Sequence, residues 1–196
     1  MSKKLLLKIF ILSIFTTSLF SIEPDIFVQS TVNRASKLLS EGISKEEKIT
    51  KLKLIAKETV DIEGIGNYTL GSARKKLNDQ EKEKYLILFE KYFLKSFSSR
   101  LAEYTNPEID VNGKKVISKN YTIVTSTLKA TNERPEIKID WRIYTKDPES
   151  PLIRDLIIEG LSLARTQKEE FASVLNSNDG DIKVLFNILE EFSNNQ

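Results

Sequence analysis

Asp155 is the residue through which this chain could do chemistry. It heads an apolar block, Leu156, Ile157 and Ile158, that reads as a strand, and Gly160 then supplies a turn into a helix that opens at Ser162. A carboxylate in an apolar pocket, with a tyrosine hydroxyl in reach, can move a proton, so Asp155 and a tyrosine form the candidate catalytic pair. A strand-end carboxylate can equally be structural, accepting hydrogen bonds from backbone amides or from Arg154 and Arg142. Other routes are scarce. The chain has no cysteine and no histidine, which excludes disulfides, thiol nucleophiles, thiolate or imidazole metal sites and every histidine-based triad.

The same corner organises the elements around it. Ser162 can cap the new helix by accepting from an amide of its first turn, and Leu163, Ala164, Phe171, Val174 and Leu175 share one helical face. Upstream, Pro24 opens a helix with Phe27, Val28, Val32, Ala35, Leu38 and Leu39 on one stripe. Ser44 followed by Glu47 is a capping-box signature for the next helix. In DIEGIGNYTLGSARKKL, Gly64, Gly66 and Gly71 are expected to interrupt any long element and leave short helical turns. Asn78 with Glu81 offers a second capping box, and the helix it starts runs to Tyr104 with an aromatic stripe that includes Tyr85, Phe89, Tyr92, Phe93 and Phe97.

Beyond Pro107 the period changes to alternation. Glu108–Val111 and Val116–Ile117 suggest a hairpin turning at Asn112 and Gly113. Tyr121–Leu128 is rich in β-branched residues, and in Ile137–Tyr144 the residues Ile137, Ile139, Trp141 and Ile143 face one way, which means one buried side and one wet side. Asp181 starts a last helix. Helices, then antiparallel strands, then helices predict an α+β fold, a curved antiparallel sheet of about four strands covered on one face by helices.

The N-terminus reads separately. Lys3, Lys4 and Lys8 flank and interrupt an apolar run from Leu5 to Phe20 that ends in small residues, the pattern of a secretory signal peptide over 1–21, with Ser21 the expected cleavage point and Ser18 its rival. The remainder, 22–196, is expected to be a single domain. The full chain has 30 Lys and Arg against 28 Asp and Glu, so removing the three leader lysines leaves a slightly acidic protein. It lacks the dense basic footprint that nucleic acid requires.

Asp155 with IIEGLSL and Phe171, preceded by Asp61, Leu70, Gly71, Arg74, Gln80 and Phe89 in that order, resembles the MlaC, or toluene-tolerance, family of periplasmic phospholipid carriers. The resemblance spans nearly all of the chain beyond the leader. Two departures stand out. Ser150, Pro151 and Leu152 replace a tryptophan-containing strand start, where Trp141 can fill the space, and Thr166, Gln167 and Lys168 replace an Asn-aromatic-Arg stretch. The resemblance implies a nuclear-transport-factor-like cone with extra N- and C-terminal helices around an apolar cavity for acyl tails. It also implies traffic between an inner-membrane ABC transporter complex and an outer-membrane lipoprotein complex, an auxiliary role that maintains outer-membrane asymmetry, and it calls for no cofactor.

Such a carrier does no bond chemistry and needs apolar area. Two tails of about sixteen carbons, at roughly 0.8 kcal/mol per buried methylene, represent about 20 kcal/mol of gross transfer free energy, against about 0.5–3 kcal/mol for a headgroup hydrogen bond. The candidate tail contacts are Phe89, Phe93, Phe97, Val124, Ile137, Ile139, Trp141, Ile143, Ile157, Leu161, Phe171 and Leu175, with Tyr68 at the mouth and Arg74, Lys75 and Lys168 at the rim for a phosphate. Three alternatives stand beside it: a carrier of another amphiphile such as a hopanoid, a small-molecule enzyme using Asp155 and a tyrosine, and an adaptor with a solid core.

Overall fold

The computed structural model describes residues 21–195, so the expected leader lies outside the described residues except for Ser21. Helix α1 (Pro24–Ser40) starts on the proline and buries Val28, Val32, Leu38 and Leu39. Helix α2 (Lys45–Thr59) is capped by Ser44, whose Oγ accepts from the Glu47 amide at 3.1 Å. The reciprocal half of that capping box is not made, because the Glu47 carboxylate pairs with Lys51 one turn on, at 3.2 Å.

The chain then touches the sheet. Val60 forms a parallel bridge with Ile153, and the Asp61 amide donates to the Ile153 carbonyl at 3.0 Å. Asp61 caps helix α3 (Ile62–Thr69), accepting from the Gly64 amide at 2.8 Å. Gly64 and Gly66, expected as breakers, lie inside this helix. They are there for close approach: a Cβ at Gly64 would strike Asp61 and Arg154, and one at Gly66 would sit 2.8 Å from Phe89 Cδ1. Alanine at 66 would gain up to about 1 kcal/mol of helix propensity but must push that ring aside. We therefore expect Gly66→Ala to lose about 1–2 kcal/mol in chemical denaturation; a variant as stable as the parent would mean that Phe89 yields freely.

Helix α4 (Asp79–Leu101) begins with both halves of the expected capping box, Asn78 accepting from the Glu81 amide at 2.9 Å and Glu81 accepting from the Asn78 amide at 3.0 Å. A short 3-10 helix, Ala73–Lys75, precedes it. Tyr85 is buried on α4 with its hydroxyl 2.8 Å from Thr69 Oγ1. Burial pushes its phenol well above the ordinary tyrosine range, the Thr69 hydrogen bond opposing by less.

Five antiparallel strands follow in sequence order: β1 (Ile109–Ser118), β2 (Tyr121–Leu128), β3 (Ile137–Tyr144), β4 (Leu152–Ile158) and the two-residue β5 (Leu161–Ser162). The hairpin expected at Asn112–Gly113 is instead an irregularity inside β1, which continues along β2 with Gly113 opposite Thr125; the reversal comes at Lys119–Asn120. A glycine in a strand marks a bulge as readily as a turn, and the five pairs with β2 from Gly113 onward outweigh a two-residue loop.

A bulge in β4 has larger consequences. Arg142 and Ile143 of β3 face Asp155 and Ile153 of β4, leaving Arg154 as the extra residue. Its side chain swings out to Asp61 Oδ2 at 2.5 Å and to the Tyr121 hydroxyl at 2.9 Å, over the Tyr144 ring. This ties the start of α3 to the sheet.

Strand β4 turns into β5 through Glu159 and Gly160, both at positive φ; helix α5 (Leu163–Asn176) follows β5 directly, and α6 (Ile182–Asn194) is capped by Asp181. The helices gather on one sheet face, where Val124, Ile139, Trp141, Ile143 and Ile153 share a core with Val28, Ala56, Tyr85 and Phe171, while Lys138 and Arg142 stay exposed opposite. No helix among the described residues is long and apolar enough to cross a membrane.

Candidate functional site

The corner at Asp155 is a structural joint. Asp155 is 4% exposed. Its Oδ1 accepts from the Ala164 amide at 3.0 Å and its Oδ2 from Ser162 Oγ at 2.6 Å, while Ser162 Oγ itself accepts from the Arg165 amide at 3.1 Å. Two amides of the first turn of α5, which have no partner within the helix, are thus satisfied by a strand carboxylate and a cap hydroxyl acting in series. The negative charge also lies at the positive end of the helix dipole. Arg142 stands 4.0 Å away, and Arg154 is engaged by Asp61. No tyrosine hydroxyl bonds Asp155; Tyr92, nearby on α4, donates to Gln167 Oε1 at 2.8 Å.

Between the helices and the inner sheet face lie two cavities that share a wall. The outer one, about 230 Å³, is lined by Phe89, Phe93 and Phe97 from α4, by Ile65 of α3, by sheet residues and by the first turns of α5. The three phenylalanines are one helical turn apart and stack in succession, at 6.1 and 5.4 Å between ring centres. The inner cavity, about 140 Å³, lies under α1 and α2, against Leu39, Leu52, Ala56, Ile139 and Ile158. No charged or exposed residue lines it. Val60, Phe97, Trp141, Ile153 and Leu156 border both, so the two adjoin as an outer and an inner lobe with these side chains between them. Trp141 sits between the lobes with its Nε1 donating to Ser126 Oγ at 2.8 Å, which removes its one polar atom from the apolar space.

Exposed lining residues locate the mouth. They are Leu163, Arg100 and Glu170, so the outer lobe opens between the C-terminal half of α4 and the N-terminal half of α5. Gln167 sits between, its Oε1 taken by Tyr92 and its Nε2 donating to Glu170 at 2.9 Å. Burial raises the Tyr92 phenol, the Glu170 charge raising it further, while the Gln167 hydrogen bond and the Arg100 charge act the other way.

The expected site residues divide accordingly. Phe89, Phe93, Phe97, Ile139 and Trp141 line the hollow. Val124, Ile143, Phe171 and Leu175 are buried in the solid part of the core and border neither lobe; Phe171 packs edge-on against Tyr85 and Phe89 and closes the end of the aromatic stack. Ile137 is half-buried at the strand end, and Leu161 is 59% exposed in the turn. Ile157 pairs with Asp140 and Ser162 on the other face of β4, and its neighbours Leu156 and Ile158 line the hollow in its place.

The expected rim is elsewhere. Tyr68 and Arg74 border a separate polar groove with Asp61, Glu63 and Arg154, and Lys75 is exposed on the 3-10 helix. Lys168 comes one residue after Gln167, about 100° around α5, and so packs its ammonium over the Tyr68 ring at 4.9 Å. Arg100, Gln167 and Glu170, which do reach the mouth, were missed. Arg100 follows Phe93 and Phe97 at helical spacing, and Glu170 follows Leu163 by two turns, so both lie on stripes visible in the sequence. Among the described residues there is no cluster of His, Cys, Asp and Glu suited to a metal ion.

A family model described as MlaC protein matches residues 29–191. Among solved structures, a phospholipid-binding protein from Ralstonia solanacearum, determined in complex with a phospholipid, superposes with a TM-score of 0.73 at 18% identity, covering 88% of this chain and 97% of its own. That likeness establishes the fold. None of the curated proteins compared matches the chain.

Proposed function

The chain belongs to the MlaC family, and we propose that it is a phospholipid carrier of the periplasm, exported by residues 1–21 and carrying its cargo in the single domain 22–196. On this reading it shuttles lipid between an inner-membrane ABC transporter complex and an outer-membrane lipoprotein complex, maintains outer-membrane asymmetry and catalyses no reaction. The observation that carries the proposal is a pair of adjoining apolar cavities, the outer one with a polar mouth, which on this reading open into one branched hollow. Two lobes meeting at Trp141 and Leu156 suit two acyl tails, and a mouth bearing Arg100 and Glu170 leaves the headgroup in water.

Tail burial supplies the driving force, because roughly 0.8 kcal/mol per methylene outweighs any contact a solvated headgroup can make. Lobes of about 230 and 140 Å³ together fall near the small end of ligand pockets, which run roughly 300–1,000 Å³. Full loading therefore requires α4 and α5 to part at the mouth. Asp155 has no place in this function beyond holding the start of α5.

The test is direct. The mature protein, purified without detergent, is expected to carry phospholipid in native mass spectrometry and in organic extracts, and once delipidated to take phospholipid from vesicles. A protein that arrives empty and takes none would refute the carrier role; a different extracted amphiphile would reassign the cargo.

A further inference from the structure

The two charges at the mouth are of opposite sign and are not spent on each other. Arg100 lies in the last turn of α4 and Glu170 two turns into α5, both exposed and both lining the outer lobe. Both charges also act on the Tyr92 hydroxyl, which lines the same lobe, in opposite directions. Yet they form no ion pair together, and among the described residues neither has an ion-pair partner elsewhere.

Two charges near Arg100 on α4 and just beyond it are otherwise occupied. Glu103 pairs with Lys45, and Lys95 donates to the carbonyls of Phe192 and Asn195 at the end of α6. Glu170 accepts one hydrogen bond, from Gln167, which fixes the carboxylate at the rim while leaving its other oxygen open. A separated cation and anion flanking an apolar opening is the complement of a ligand whose own charges are separated.

Resting on the carrier reading above, we propose that the mouth prefers a zwitterionic phospholipid with a primary ammonium headgroup, the phosphate meeting Arg100 and the ammonium meeting Glu170. An anionic lipid without the ammonium satisfies Arg100 alone and sets its remaining polar groups against an unpaired carboxylate. A choline headgroup keeps the positive charge but has no N–H to donate, so it ranks between them.

The experiment offers the delipidated, mature protein vesicles containing equal amounts of phosphatidylethanolamine and phosphatidylglycerol with matched acyl chains, and reads the ratio extracted. Contacts this exposed limit the preference to about three- to fivefold for phosphatidylethanolamine. Glu170→Gln is expected to bring the ratio to about one and Glu170→Lys to invert it. Glu103→Gln, which removes a charge away from the lining, should leave it unchanged. Extraction in proportion to supply, or a ratio indifferent to residue 170, overturns the headgroup assignment while leaving a carrier of phospholipid. Uptake of neither lipid overturns the carrier reading, and the assignment with it.

Discussion

Leu156→Trp is expected to yield a folded protein that takes up a two-tailed lipid only weakly. Leu156 is half-buried, faces Trp141 across the strands and borders both lobes, so a larger ring at 156 grows into the passage between them. The inner lobe, which has no exposed lining of its own, is then sealed from the mouth. Excluding about ten methylenes from burial forfeits about 8 kcal/mol of gross transfer free energy. Part is recovered because the displaced tail can still lie against the mouth, and we expect diacyl phospholipid to bind about 100-fold more weakly in vesicle-uptake titrations.

Overpacking a filled core costs about 1–3 kcal/mol, but here the added atoms enter empty space, so the melting temperature should change little. A single-tailed lysophospholipid, which needs the outer lobe alone, should bind within about threefold of the parent. Unchanged diacyl uptake by a folded Leu156→Trp would mean that the inner lobe holds no tail.

Asp155→Ala is expected to lose about 3 kcal/mol of stability, since it strands the Ala164 amide and the Ser162 hydroxyl together at the start of α5 in a buried setting. For a chain of this size that is a fall of roughly 6–12 °C in melting temperature, read by circular dichroism. Asp155→Asn keeps the shape and one carbonyl acceptor, so it should lose only about 1 kcal/mol. At a temperature where both are folded, the asparagine variant should take up lipid like the parent. Lipid uptake abolished in a fully folded Asp155→Asn would give the carboxylate a duty beyond the joint.

The comparison of Asp155 with the mouth shows where reading a sequence succeeds. Asp155 and Ser162 are seven residues apart and their bonds are local, so the structural alternative was visible from chain order alone. The same holds for the capping box at Asn78 and Glu81 and for the alternation in β3, each of which lies within one element. The expected rim residues Arg74 and Lys75 carry charge beside a glycine-rich stretch, yet that stretch folds as α3 and borders a different groove, and Lys168, expected from the charge it keeps beyond the corner, packs over Tyr68. Charge names a residue that wants water or a partner, and many surfaces supply both.

Local pattern by itself determined which faces are apolar, where helices start, and that the chain has no histidine or cysteine with which to catalyse. It did so because helix and strand periods and cap hydrogen bonds involve neighbours a few residues apart. Tertiary structure alone decided that Phe93 and Phe97 border a hollow while Phe171 fills solid core, and that the bulge at Arg154 hands the inner face of β4 to Leu156 and Ile158 instead of Ile157. A period reports that a side chain is turned away from water; whether it then meets another side chain or an empty space depends on what a distant segment brings opposite it.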